Sequence, residues 1–259
     1  MRIPLYQVHA FAARVFAGNP AGVCPLPRWL DDATMQSIAA ENALAETAFF
    51  VREDGGYDIR WFTPVQEIDL CGHATLASGF VVFHHLDPAA RAATFRSKSG
   101  PLTVTRDGER LTLDFPARPP AACERPAALD RALGHAPREV LRARDYLAVY
   151  GSEDEVRSLD PRMDEIAALD ALGVIATAPG KASDFVSRFF APRAGVPEDP
   201  VTGSAHCTLV PYWSARLGRK KLHAFQVSRR GGELWCEDRG ARVLIAGRAV
   251  PYLEGTIEV

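Results

Sequence analysis

Cys71, Gly72 and His73 stand together in the stretch DLCGHATLASG, residues 69–79. A thiol and an imidazole at this spacing raise thiol chemistry as a first reading, with Cys71 as nucleophile and a histidine as base. Two positions apart at a helix start, the His73 ring is not expected to meet the sulfur, and His206 is the alternative base. The plainer reading of Cys71 is a small buried apolar residue. A second small-residue stretch, DPVTGSAH (199–206), carries Asp199, Thr202, Gly203 and Ser204. Asp199 precedes a proline, as turn aspartates commonly do. Glu46 opens an otherwise apolar segment, AETAFFV (45–51), where an exposed strand carboxylate is the ordinary reading. His84 and His85 are adjacent on a helical stretch, so their side chains diverge and make no metal pair. No dinucleotide fingerprint, P-loop or H-E-x-x-H pattern occurs, and the sequence gives no sign of a nucleotide, a zinc ion or another cofactor.

The elements that must position these residues repeat. RWFTP (60–64) matches RFFAP (188–192), and each is followed by a loop and a small-residue cluster that opens an apolar segment. Aligning the glycines sets Gly72 on Gly203, Cys71 on Thr202 and His73 on Ser204, with the second loop three residues longer. The segments 73–85 and 204–217 are apolar or small on nearly every face, the signature of a buried helix. Pro211 should kink or shorten the second. Around them the sequence is rich in hairpins. ETAFFV and YDIRWF flank Asp54-Gly55-Gly56, residues 102–115 turn at Asp107-Gly108, and GELWCED and ARVLIAG flank Arg239-Gly240. Residues 31–43 and 160–172 read as further helices with aspartate at the start. The proline-rich stretch DFPARPPAACERP (114–126) suits a connection between domains. The chain thus reads as two similar halves, 1–115 and 116–249, with 250–259 packing back onto the first. Each half is a curled sheet around one buried helix.

Two buried helix starts bear on chemistry. A helix N-terminus presents free amide donors and a partial positive charge, and glycine lets a ligand approach the backbone. Gly72 and Gly203, at equivalent places in the two halves, would hold a carboxylate or oxyanion without any arginine.

Composition narrows the classes. Apolar residues make up 47% of 259 positions, enough for a sizeable core, and the formal charge of −2 gives no footprint for nucleic acid. No long apolar run suggests a membrane span. Five scattered cysteines without a CxxC pair read as reduced thiols, which together with the lack of a signal-peptide core implies a cytoplasmic protein.

Taken together, GNPAGV (18–23), AETAFF (45–50), RWFTPVQEIDLCGHATLASG (60–79) and RFFAPRAGVPEDPVTGSAH (188–206) resemble the phenazine-biosynthesis PhzF-like isomerase family. The resemblance implies the diaminopimelate epimerase-like fold, an α+β architecture. In it, two pseudo-symmetric domains each wrap a barrel-like, mostly antiparallel sheet around a central helix, with the site in the cleft. Epimerases of that fold use two facing cysteines. Here Cys71 fills one thiol place and Thr202 the other, and a threonine hydroxyl is too weak an acid or base for that role. The resemblance instead assigns proton transfer to Glu46, with His73 and Asp199 as the other catalytic-site residues. It assigns substrate contacts to Cys71, Gly72, Thr202, Gly203 and Ser204. It further implies no cofactor, no metal, a small-molecule carboxylate substrate and a homodimer. One departure is His9, where the family usually has aspartate. The expected activity is a cofactor-independent isomerase; the rivals are a cysteine hydrolase using Cys71 and a non-catalytic carboxylate-binding protein.

Overall fold

Asp54, Gly55 and Gly56 turn the strand β3 (Glu46–Glu53) back onto β4 (Gly56–Phe62), and Glu53 pairs with Gly56 across the hairpin. Both glycines have positive φ, at 78° and 159°, which is why this turn needs them. The computed structural model describes residues 1–259 and divides into two compact units, Met1–Asp114 with Ala246–Val259, and Phe115–Ile245.

In the first unit, β1 (Arg2–Ala10) lies between the C-terminal strand Ala249–Glu258 and β2 (Asn19–Leu26), antiparallel to both. The chain then forms α1 (Asp32–Asn42), capped by the Asp31 carboxylate, which accepts from the Thr34 amide at 2.9 Å. Met35, Ile38 and Ala39 on its inner face pack with Phe49, Val51 and Phe62 on β3 and β4. β2 runs parallel to β3, and β3 antiparallel to β4. The short β5 (Glu67–Ile68) leads into α2 (Gly72–Val81), whose last turn widens into a π-type turn over Val82–Leu86. β6 (Ala92–Ser97) pairs parallel with β4, and β7 (Gly100–Asp107) and β8 (Arg110–Pro116) follow antiparallel. The helix α2 is buried from His73 to Val81 and touches β1, β2, β3, β6, β7 and the C-terminal strand. A sheet wrapped around one apolar helix is the arrangement its sequence requires, because such a helix has no face to show to water.

The second unit repeats this plan. After β9 (Ala121–Ala122) and α3 (Ala127–Leu133) come β10 (Glu139–Arg142) and β11 (Tyr146–Val149), then α4 (Glu153–Arg157), α5 (Met163–Ala167), β12 (Val174–Pro179) and β13 (Phe185–Ala191). β14 (Val196–Asp199) leads into α6 (Gly203–Leu217), followed by β15 (Lys221–Gln226) and β16 (Gly232–Asp238). β11 is parallel to β12, β12 antiparallel to β13, β13 parallel to β15 and β15 antiparallel to β16. That is the pairing order of β2, β3, β4, β6 and β7. The matched side chains behave alike. Arg60 holds Glu67 with two hydrogen bonds, of 2.8 and 2.9 Å, and Arg188 holds Glu198 with two, of 2.7 and 3.0 Å. Arg60 lies over Phe62 and Arg188 over Phe190. The architecture is α+β, two pseudo-symmetric units each with a barrel-like, mostly antiparallel sheet and a central helix.

Two helix expectations need correction. Pro211 neither ends nor shortens α6, which runs on to Leu217 and closes at Gly218. Proline removes the amide that would reach the Cys207 carbonyl, and the Arg118 amide takes that place at 2.8 Å. The helix read over 160–172 is confined to Met163–Ala167. The chain turns after Ala168, and the Leu169 carbonyl accepts from Arg193 rather than from a helical amide. No helix is long and apolar enough to cross a membrane.

Candidate active site

Within the first unit, three elements bring their ends together. Glu46 is the first residue of β3, paired across the parallel ladder with Ala21 of β2. Asn19 is the first residue of β2. The turn before it needs Gly18, whose φ is +65°, and where a Cβ would sit 2.2 Å from the Ala10 carbonyl oxygen. Cys71 is the N-cap of α2, and His73 is its second residue.

These ends place side chains in contact. His73 Nε2 lies 3.1 Å from Glu46 Oε2, with side-chain exposures of 5% and 13%. On the other edge of the ring, His73 Nδ1 lies 3.1 Å from Asn19 Nδ2 and 3.6 Å from Cys71 Sγ. Cys71 and His73 therefore do meet. As N-cap, Cys71 has extended backbone angles (φ −138°, ψ 112°), so its side chain escapes the helical rotation that separates nearby positions. Glu46 is largely buried, unlike an ordinary exposed strand carboxylate. His73 Nε2 and Glu46 Oε2 face each other as a buried electrostatic contact without hydrogen-bond geometry, and neither atom has another partner. Burial works against a charge on His73, and the Cys71 sulfur and the Glu46 carboxylate outweigh it, holding the pKa well above its ordinary value. Burial, and then the Glu46 charge, push the Cys71 thiol up. Burial of the sulfur counts against it as a free nucleophile. The N-cap side chain makes no capping hydrogen bond at the start of α2. Glu46, Cys71 and His73 are also the chain's one group able to offer three metal-binding atoms, all within 4.8 Å of one another.

The remaining expected residues form a set of their own in the second unit. Thr202 is the N-cap of α6 and donates its hydroxyl to Asp199 Oδ2. Gln226, at the end of β15, accepts from the Thr202 amide at 2.8 Å and donates to the Asp199 carbonyl at 2.7 Å. Gly203 opens the helix, and the next residue, Ser204, accepts from Arg144 Nη2 at 3.2 Å. Arg144 is held by the buried Asp145. His206 donates from Nδ1 to the Thr202 carbonyl at 2.8 Å, and burial lowers its pKa to about 4, so it is a neutral core residue. His9, the residue at the departure from the family pattern, is buried and stacks on Tyr252.

Sequence reasoning missed Asn19, Gln226, Arg144 and Asp145. Asn19 had a signal, since it follows a glycine inside GNPAGV. Gln226 ends an alternating strand with nothing local to mark it. Arg144 and Asp145 look like ordinary loop charges.

The phenazine biosynthesis-like protein family, PhzC-PhzF, matches residues 8–255. The chain belongs to that family. An isomerase of Pseudomonas aeruginosa, itself uncharacterized, is 50% identical over 259 residues, with both chains covered in full. The structure of a PhzF-family phenazine biosynthesis protein of Enterococcus faecalis superposes with a TM-score of 0.97 at 47% identity, again over both whole chains. A hydroxyproline epimerase from Agrobacterium vitis has a TM-score of 0.60 at 12% identity, covering 99% of this chain and 92% of its own. That likeness is one of fold, and it extends the PhzF architecture to epimerases.

Proposed function

We propose that this PhzF-family protein is a cofactor-independent isomerase that moves a proton between carbons of a small carboxylate substrate. The observation that carries the reading is the buried contact of Glu46 with His73 at the open start of α2. Glu46 as carboxylate takes a proton from one carbon. The electron pair left behind moves into the adjoining unsaturated system, and Glu46 returns the proton to a different carbon. No electrons are gained or lost overall. Developing negative charge on the substrate falls on the amides at the start of α2 beside Gly72. His73 stands against Glu46 at 3.1 Å and is itself held by Asn19. Cys71 packs beside the ring. Asp199, Thr202, Gly203 and Ser204 enter the reading through the family pattern, as groups that position the substrate. The relatives named as isomerases support the same class.

The sulfur-to-ring distance of 3.6 Å gives the cysteine hydrolase reading its one supporting observation. The raised thiol pKa counts against it. The two readings separate in heavy water. A panel of small unsaturated carboxylates and amino acids is incubated with the protein in deuterated water and followed by NMR. Deuterium at carbon in a rearranged product is expected. Hydrolysis of an ester panel with no carbon exchange in any compound would overturn the isomerase reading.

A further inference from the structure

The buried trio of Glu46, Cys71 and His73 contains a carboxylate, a thiol and an imidazole, one donor of each kind that borderline divalent metals take. We propose that this trio is a site for a zinc-class divalent cation, bound by Cys71 Sγ, one His73 ring nitrogen and a Glu46 oxygen, with the fourth position open. The spacing supports it. In a tetrahedral zinc site with ordinary bond lengths, ligand atoms lie roughly 3.3–3.6 Å apart. Here the carboxylate oxygen is 3.1 Å from His73 Nε2, the nitrogen that would take the cation, while the sulfur rests 3.6 Å from Nδ1 on the opposite edge of the ring. All three offered atoms fall within 4.8 Å of one another, so a rotation that swings Cys71 Sγ to the Nε2 side of the ring closes the triangle.

The surroundings fit as well. A metal-bound imidazole needs an acceptor for its second N–H. With Nε2 on the metal, Nδ1 faces the Asn19 side-chain amide at 3.1 Å, and that amide can turn its oxygen to accept. Cys71 stands at the N-cap of α2, and cation binding would displace the proton from its thiol. Softness selects among metals: a thiolate and an imidazole favour zinc and cobalt, whereas magnesium and calcium prefer all-oxygen sites. Metal binding stands apart from the isomerase reading. Its consequence, reversible inhibition because the cation holds Glu46, rests on that reading.

The test uses the full chain, treated with a chelator and kept reduced without added thiols. Cobalt(II) is titrated in and followed by absorption, then displaced by zinc. One equivalent is expected to produce the intense visible bands of a tetrahedral site and a near-ultraviolet thiolate-to-cobalt band, both lost on adding one equivalent of zinc. Cys71→Ser should fold by circular dichroism, lose the near-ultraviolet band and bind cobalt at least about 10-fold more weakly. Glu46→Gln should keep that band with weakened binding. Cys207→Ser, which removes a buried thiol of the second unit, should leave the spectrum unchanged. No band in the folded wild-type protein, or a band that survives Cys71→Ser, would overturn the site. Carbon exchange in heavy water is measured on metal-free protein, so its failure leaves the metal result standing and bears on the isomerase reading alone. Exchange that rises on adding zinc would overturn the inhibitory consequence.

Discussion

Arg188→Met strikes a largely buried ion pair that ties β13 to β14 and to the end of α4. The guanidinium makes two hydrogen bonds to Glu198, at 2.7 and 3.0 Å. It also reaches the carbonyls of Leu159 at 2.8 Å and Val156 at 3.3 Å. Only 12% of the Arg188 side chain and 23% of Glu198 are exposed. Breaking a buried pair by removing one partner costs about 3–5 kcal/mol, and each carbonyl left without a donor adds about 1 kcal/mol. Water reaching Glu198 and the apolar contact of methionine with Phe190 offset part of this, leaving about 3–4 kcal/mol. At ordinary unfolding entropies that lowers Tm by about 10 °C. The repeat-equivalent Arg60→Met should cost less, about 2 kcal/mol, because its third partner, Asp32, is 76% exposed. Urea denaturation followed by tryptophan fluorescence and calorimetry reads both. The double variant Arg188→Met/Glu198→Leu should regain at least half of the loss, since it removes the stranded carboxylate. A cost below about 1 kcal/mol for Arg188→Met, or one smaller than that of Arg60→Met, would refute this account of the repeated ion pair.

Two further outcomes concern stability. His206 has a folded pKa near 4, below its unfolded value of about 6.5, so the unfolded chain binds the extra proton. Stability is therefore full above about pH 6.5 and falls as the pH drops toward 4, by about 3 kcal/mol in all; His206→Gln should flatten urea midpoints measured between pH 7 and 4.5, and an unchanged slope would refute it. Gln226→Leu strands the Thr202 amide and the Asp199 carbonyl, and should cost about 2 kcal/mol by urea denaturation, against less than 0.5 kcal/mol, the range of ordinary surface changes, if that network carries no weight.

The fold was largely legible because its strongest signals are local or repeated. Asp54-Gly55-Gly56 and Asp107-Gly108 mark hairpins through backbone angles that few other residues adopt. The helices at 72–81 and 203–217 announced themselves by lacking a polar face. The helix over Met163–Ala167 was overread because alternating apolar and acidic residues continue past the point where Arg193 takes the Leu169 carbonyl. The run of α6 through Pro211 depended on a backbone amide at Arg118, and no side chain announces that. At the site, Cys71 and His73 were visible as types, yet their contact depends on the extended backbone of an N-cap, which spacing rules for helices do not cover. Asn19 and Gln226 were missed because they act through partners distant in sequence.

The central claim is that Glu46 carries the proton, and Glu46→Gln tests it most directly. The substitution keeps the size and a hydrogen-bonding head beside His73 but cannot exchange a proton. With a substrate drawn from the carboxylate panel, binding is measured by calorimetry and deuterium uptake at carbon by NMR. Binding within a few-fold of wild type, with exchange reduced by about 10²–10⁴, is the predicted result. Exchange retained at the wild-type rate in a folded Glu46→Gln protein would contradict the account.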